Sequence, residues 1–495
     1  MAGRKLPELT TGFDFPRPLQ LPRYFRQWNP KVERDTFSRE FGPPRAEAEA
    51  GAGAGRRPRR VRSCRRDGDG HVTLFESNGF TLDAGLEAVV SAIATDRTNF
   101  GAGLAEPDGT IDGDVDWAEG FVHPALSAEF TDDRTGRFLG AVSFIGAATR
   151  GIGDVSGGSF GQPEHFAHER LFLGWSSGAL WPELGDDAIT VTLGDQDFEI
   201  GDGWLISDGV ADGVKNGAFY LGPRNVFKKS AVVTLETQPV RGDLFYLDSQ
   251  ADQGGSKLAG LDIAYVDSAR GSLGAYYFRI FEVDDPDFAA RDGLDVFGLH
   301  GQGHPLQGPG LDPVFLSAEY TLQRNDAAGR DADAWAWYVE AGYRLADAPW
   351  SPELGYRYSR FGGDDPATAE VEAFDPLFVG APRGWGTWFQ GEITGQYLFN
   401  HSNLGVHMVR LGARPHDDWE LTALAFDIDF DEPASAGAVA SDFAHEVNLI
   451  ADWAVSEFVT LSGFYGIAIP GRGAIEAFGD NQPFQLFGLI CALSY

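Results

Sequence analysis

From Trp335 to Leu345 the chain alternates without a break. Trp335, Trp337, Val339, Ala341, Tyr343 and Leu345 fall on one face, and Ala336, Tyr338, Glu340, Gly342 and Arg344 on the other. The first face is apolar and aromatic; the second carries a carboxylate and a guanidinium. That two-residue period belongs to a β-strand. The pattern recurs along most of the chain. So many strands, each apolar on one face, fit an all-β transmembrane barrel, antiparallel and up-and-down, with lipid outside and water inside.

Besides 333–345, strands are predicted at 79–94, 121–131, 137–148, 165–176, 188–198, 217–227, 229–238, 240–248, 259–267, 272–283 and 293–300. Others follow at 314–323, 352–360, 386–398, 403–413, 419–430, 443–455, 457–468 and 484–495. In the first, Phe80, Leu82, Ala84, Leu86, Ala88 and Val90 oppose Thr81, Asp83, Gly85 and Glu87. Gly/Asp-rich connections (95–120, 149–164, 199–216, 284–292, 361–385, 431–442) alternate with short turns such as 132–136, as long loops and tight turns do at the two ends of a barrel. Bacterial barrels close with an even number of strands, so the reading is about 18, with 16 as the alternative. Tyr495 ends a strand on which Leu493, Cys491, Leu489 and Phe487 share its face, an ending suited to outer-membrane assembly.

A formal charge of −34 excludes a nucleic-acid binder, which needs a basic face. Residues 1–70 hold 16 Lys+Arg against 9 Asp+Glu, leaving 23 basic and 64 acidic residues for 71–495. The chain thus divides into a Pro/Arg-rich segment, 1–70, and a barrel, 71–495. The segment cannot bury a core and reads as disordered. It lacks the apolar stretch of ~7–15 residues that export requires, so a misassigned start is the favoured explanation. The only cysteines, Cys64 and Cys491, form neither a disulfide framework nor a metal-ligand spacing. No run approaches the roughly 20 apolar residues of a membrane helix, which leaves a barrel untouched as a prediction.

Three stretches resemble the alginate-export family of outer-membrane barrels. HERLFLGWSSGALWPELGDDAITVTLGDQDFEIGDGWLISDGV at 168–210 is similar to the family's strand–turn–strand with a G-R-Q-x-x-x-x-G-D-G-like core. The others are FDPLFVGAPRGWGTWF at 374–389 and HEVNLIADWAVSEFVTLSGFYG at 445–466, running on to Pro470 and Gly471. The resemblance covers roughly 72–495, and Asp195 stands where the family often carries arginine. It implies an 18-stranded passive conduit for an anionic polysaccharide with a basic lumen, which this acidic chain has few cations to build.

Ionised side chains projecting into a narrow pore select solutes strongly, because low-dielectric walls strengthen each charge. By strand parity the pore-lining candidates are Arg170, Arg279, Arg344 and Arg357, with Glu319, Glu340, Glu392 and Glu446 on the same inner face. Arginine suits carboxylates because its fork binds them in bidentate fashion. The bland alternative is cross-strand Arg–Glu pairing that stiffens the wall.

Asp108, Thr110, Asp112, Asp116 and Glu119 place oxygens at positions 1, 3, 5, 9 and 12 of a twelve-residue stretch with Gly113 at the sixth. That spacing approaches a calcium loop, so calcium is a candidate ligand, although no helical pattern flanks it. No other cofactor is expected. The histidines form no H-E-x-x-H pattern, and no G-x-S-x-G elbow or phosphate-binding glycine loop is present. The reading is a porin-type channel, not an enzyme, in the outer membrane of a Gram-negative-type bacterium. It would pass sugars or an anionic polysaccharide such as alginate. Its expected partners are outer-membrane lipid, carbohydrate or another small solute, and periplasmic export components. The alternative is a secreted all-β glycan-active enzyme or a glycan-binding surface protein.

Overall fold

Segments that alternate over their whole length become strands, and in the computed structural model each strand pairs with its neighbours in the chain. The structure describes residues 72–210, 213–306, 308, 310–311, 313–326, 331–380, 385–387, 390–399 and 401–495. The segment 1–70, including Cys64, lies outside these residues. The wall begins with β1 (Phe80–Asp96), β2 (Asp116–Asp132), β3 (Gly136–Gly151), β4 (Glu164–Ser176), β5 (Ile189–Gln196) and β6 (Phe227–Thr237). It continues with β7 (Val240–Asp248), β8 (Ser256–Asp267), β9 (Gly271–Val283), β10 (Asp295–Gly303), β11 (Val314–Asn325) and β12 (Ala332–Arg344). β13 (Glu353–Phe361), β14 (Leu404–His416), β15 (Trp419–Phe430), β16 (Asp442–Ala454), β17 (Val459–Pro470) and β18 (Phe484–Ser494) complete it. β18 pairs antiparallel with β1, from Glu87↔Ser494 to Asp96↔Gln485, closing the eighteen strands into a barrel.

One seam is shared. A leading strand, Val72–Ser77, pairs with the start of β1 from Val72↔Ala84 to Ser77↔Phe80. It uses the same edge of β1 that β18 occupies further along. Tyr495 exchanges backbone hydrogen bonds of 2.6 and 2.8 Å with Leu86, so the chain's last strand and its leading strand meet end to end in the wall. Lipid offers no partner to a bare peptide group, and the leading strand covers the length of β1 that β18 does not reach.

The up-and-down order sends the connections 97–115, 152–163, 197–226, 249–255, 284–294, 326–331, 362–403, 431–441 and 471–483 to one end. The turns 133–135, 177–188, 238–239, 268–270, 304–313, 345–352, 417–418 and 455–458 lie at the other, with Tyr495. By the habit of such barrels, the long loops face outward from the cell and the short turns face the periplasm.

The outer face is apolar and bare: Leu173 is 75% exposed, Leu489 69% and Leu273 68%, a surface that only lipid can cover. Aromatic pairs stand at both margins, as in interfacial girdles. Trp419 stacks on Trp453 at 5.4 Å near the short turns, and Trp337 meets Tyr358 at 5.3 Å nearer the loops.

Two predicted strands, 217–227 and 386–398, are not part of the wall. Both belong to loops that fold inward. A wall strand shows lipid and lumen alternately, whereas 217–222 and 390–397 are buried at every consecutive position. The second contains a π-helical segment, Gly391–Leu398. Burial on all sides erases the period that distinguishes a strand.

Candidate conduit and its inner loops

Within the barrel the inner wall has two parts. Toward the short turns it carries a ladder of paired charges. Arg344 reaches Glu353 at 3.1 Å, Arg410 reaches the other oxygen of Glu353 at 3.6 Å, and Arg414 meets Glu420 at 3.1 Å. Around the circumference Arg137 lies 3.0 Å from Asp187 and 3.6 Å from Glu129. Asp452 accepts from the indole of Trp385 at 3.2 Å and from the hydroxyl of Ser462.

Toward the long loops the lumen is occupied by the 197–226 and 362–403 loops. Ile206 and Phe378 form a parallel bridge. Ser207 N–H donates to the Phe378 carbonyl at 2.8 Å, and Gly380 N–H to that of Gly203 at 3.1 Å. Trp204, Ile206, Phe378 and Val379 are buried. The two loops bridge distant parts of the wall. Tyr220 stacks on Phe464 of β17 at 5.3 Å, Tyr397 meets Trp117 of β2 edge-on at 6.3 Å, and Trp204 meets Tyr338 of β12 at 5.3 Å.

Buried wall carboxylates hold these loops through their backbone. Glu119 of β2 accepts from Leu221 N–H at 2.6 Å and from the Trp117 indole at 3.1 Å. Glu169 of β4 accepts from Asn225 N–H at 2.8 Å, Val226 N–H at 3.2 Å and Arg224 Nε at 2.9 Å. Glu446 of β16 accepts from Ile393 N–H, Thr394 N–H and the Asn448 amide, each at 2.8 Å. The Glu446 contacts fall at the first turn of the π-helical segment, where unpaired N–H groups favour an anion. Gly391, at φ +111°, leads the chain past this carboxylate; a Cβ there would stand 2.6 Å from it. Such hydrogen bonds gain strength in a dry interior.

The predicted pore residues divide accordingly. Arg170 faces inward and pairs with Asp197 at 2.5 Å. Arg344 belongs to the ladder. Arg357 is completely buried, lies 3.8 Å from Glu340, and donates to the Thr387 carbonyl and the Gln390 amide oxygen, so it also grips the 362–403 loop. Glu319 faces inward and accepts from the Tyr276 hydroxyl at 2.7 Å. Glu446 serves as the loop anchor described above.

Two of these expectations need correction. Arg279 lies on the outer face, half exposed, 3.2 Å from Asp295. Its strand is apolar on both faces, with Tyr276, Phe278 and Ile280 packed inside against the core, so parity alone did not say which face was which. Glu392 is not on a strand; it lies in the π-helical segment and accepts from the Tyr220 hydroxyl at 2.6 Å, joining the two loops. Burial and the neighbouring Glu446 push its carboxyl up to about 7, against the opposing hydrogen bond from Tyr220.

The calcium-like spacing does not close around a centre. Thr110 and Asp112 lie in a small hairpin, Leu104–Ala105 with Ile111–Asp112, and Asp108 turns its tip by accepting from Thr110 N–H at 2.9 Å. Asp116 begins β2, and Glu119 is spent on Leu221. An extended strand separates oxygens that a calcium loop would wrap together. Among the described residues no group of three His, Cys, Asp or Glu side chains is gathered for a metal.

Parity reasoning missed Glu169 and the loop residues Arg291 and Asp375, and it left the face of Arg410 undecided. Glu169 and Arg170 both turn inward because β4 slips register against β3 between Val142 and Phe144. A bulge of that kind places neighbours on one side, and adjacent charges in an otherwise alternating segment are its sequence trace. Asp375 lies in the FDPLF stretch, where the resemblance rather than the period marked it.

A family model described as alginate export matches residues 163–429, just over half of the chain. No curated protein matches the sequence significantly. Among solved structures, Pseudomonas aeruginosa OccK5 (OpdH) superposes with a TM-score of 0.52 at 9% identity, covering 83% of this chain and 97% of that one. Pseudomonas aeruginosa OccK3 (OpdO) gives 0.50 at 13% identity, covering 84% and 95%. At these identities the likeness is one of fold.

Proposed function

The chain belongs to the alginate-export family, and from that premise we propose that it passes saccharides passively, favouring neutral or weakly charged ones over polyuronates. It is an outer-membrane β-barrel channel of porin type. Family and fold both point to a channel and away from the secreted-enzyme alternative. What the channel admits is the step proposed.

The observation that carries the proposal is the pairing of the inner arginines. Arg137, Arg170, Arg344, Arg410 and Arg414 each lie within 4 Å of a carboxylate. A guanidinium whose fork already holds a carboxylate offers a polyuronate less than one that projects alone. The wall carries abundant acid of its own, which opposes a polyanion at every step of its passage. Export components in the periplasm, if the family's cargo is an exported one, would meet the short-turn end, where the ladder opens.

Swelling of liposomes that contain the full chain tests the proposal. Neutral disaccharides and trisaccharides should enter faster than uronate oligomers of the same length. Equal or faster entry of the uronates would remove it.

A further inference from the structure

The 362–403 loop is fixed at a second place, remote from Glu446, by a residue on another loop. Arg291, in the 284–294 connection, is 5% exposed. Its Nε donates to Asp375 Oδ2 at 2.7 Å and its Nη2 to Asp375 Oδ1 at 2.8 Å, the two-pronged geometry of a strong guanidinium–carboxylate pair. Nη1 reaches the Gln253 carbonyl of a third loop at 3.4 Å. The guanidinium stands 4.7 Å from the Phe288 ring and 5.6 Å from that of Phe378, the residue that bridges to Ile206. Asp375 is held from behind as well. Its N–H donates to Gln323 Oε1 at 2.9 Å, and Gln323 Nε2 donates to its carbonyl at 2.6 Å, tying it to β11. Asp375 Oδ1 also accepts from Leu377 N–H at 2.8 Å, which shapes the turn into Phe378.

We propose that the Arg291–Asp375 pair is the latch that holds the inner loops in place: it clamps the 362–403 loop, and through Phe378 the 197–226 loop, inside the lumen. This rests on the channel reading above and names the residues that regulate it. Arg291 is the joint where three loops meet, and Asp375 is the joint between those loops and the wall. The guanidinium of Arg291 is buried while Asp375 is partly exposed, so the loss of Asp375 costs most, because it leaves a buried charge without its counter-ion. The docked-to-undocked ratio of the loop should fall on the order of a hundredfold when Asp375 is lost, and by about tenfold when Arg291 is lost.

The test is single-channel recording of the full chain in planar bilayers, with limited proteolysis of the folded barrel in parallel. Arg291→Ala and Asp375→Asn should each give larger or longer openings than wild type and make the 362–403 loop cleavable. The exchange Arg291→Asp with Asp375→Arg should return both readouts toward wild type. Arg279→Ala, on the outer face, should change neither.

Folded single variants with wild-type openings and an uncut loop would overturn the latch. So would failure of both singles to form barrels, which would assign the pair to folding. If neither wild type nor a variant lacking residues 363–402 conducts, it is the channel reading that fails.

Discussion

The two halves of the lumen use the same side chains for different work. Toward the short turns, Arg414 and Glu420 pair side chain to side chain at the edge of water. Toward the long loops, Glu119, Glu169 and Glu446 are buried and accept hydrogen bonds from loop backbone. The difference lies in what is left when one member is lost. Loss of Arg414 leaves behind Glu420, a partner that water can reach. A buried carboxylate leaves behind peptide N–H groups that nothing else can satisfy. Charge therefore tunes passage in one half and architecture in the other.

The sharpest way to break this comparison is Glu446→Leu. It strips the Ile393 and Thr394 N–H groups of their acceptor, at about 1–3 kcal/mol each, so docking of the 362–403 loop should weaken by about 2–6 kcal/mol. Protease cleavage within that loop, in a barrel that stays folded, measures it. A loop as resistant as wild type would erase the distinction between the halves.

Next in size is a pH effect from Glu392. Burial raises its carboxyl from 4.5 to about 7, so the docked loop favours the protonated form. The stabilisation is fully present below pH 4.5 and is lost as pH rises through about 7. It is worth about 3 kcal/mol at most. Open time should lengthen as pH rises from 4.5 to about 7 and then level off, and Glu392→Gln should flatten that dependence. A wild-type profile level across this range would contradict it.

Smaller still is Arg414→Ala. Its pair with Glu420 is partly exposed, so stability should change by less than about 1 kcal/mol. The reversal potential should nonetheless move toward cations, because Glu420 is left uncompensated in a confined space. Smallest is Arg279→Ala, within about 0.5 kcal/mol and without effect on selectivity.

What could be read from the chain follows the same division. β7 and β15 are legible to the residue, because lipid on one face and lumen on the other impose the alternation of Leu244 with Asp243, or of Leu421 with Glu420. Closure at eighteen strands followed from those faces and from the even-number habit. The inner loops were not legible. Tyr220 and Glu392 have protein on every side, so no period sorts their neighbours, and short apolar runs there imitate strands. Arg279 was misplaced because the inner loops render the inside of β9 as apolar as its outside. Glu119 fitted a calcium spacing that is only one-dimensional; its partner, Leu221, is distant in sequence and near in the lumen.

The measurement that bears most directly on the central claim is the reversal potential of the full chain in a planar bilayer under a salt gradient. A charge-paired, acid-rich conduit should give discrete steps with a weak lean toward cations. A strong anion preference would mean that an unshared basic constriction governs passage, and an absence of steps would mean that this barrel does not conduct.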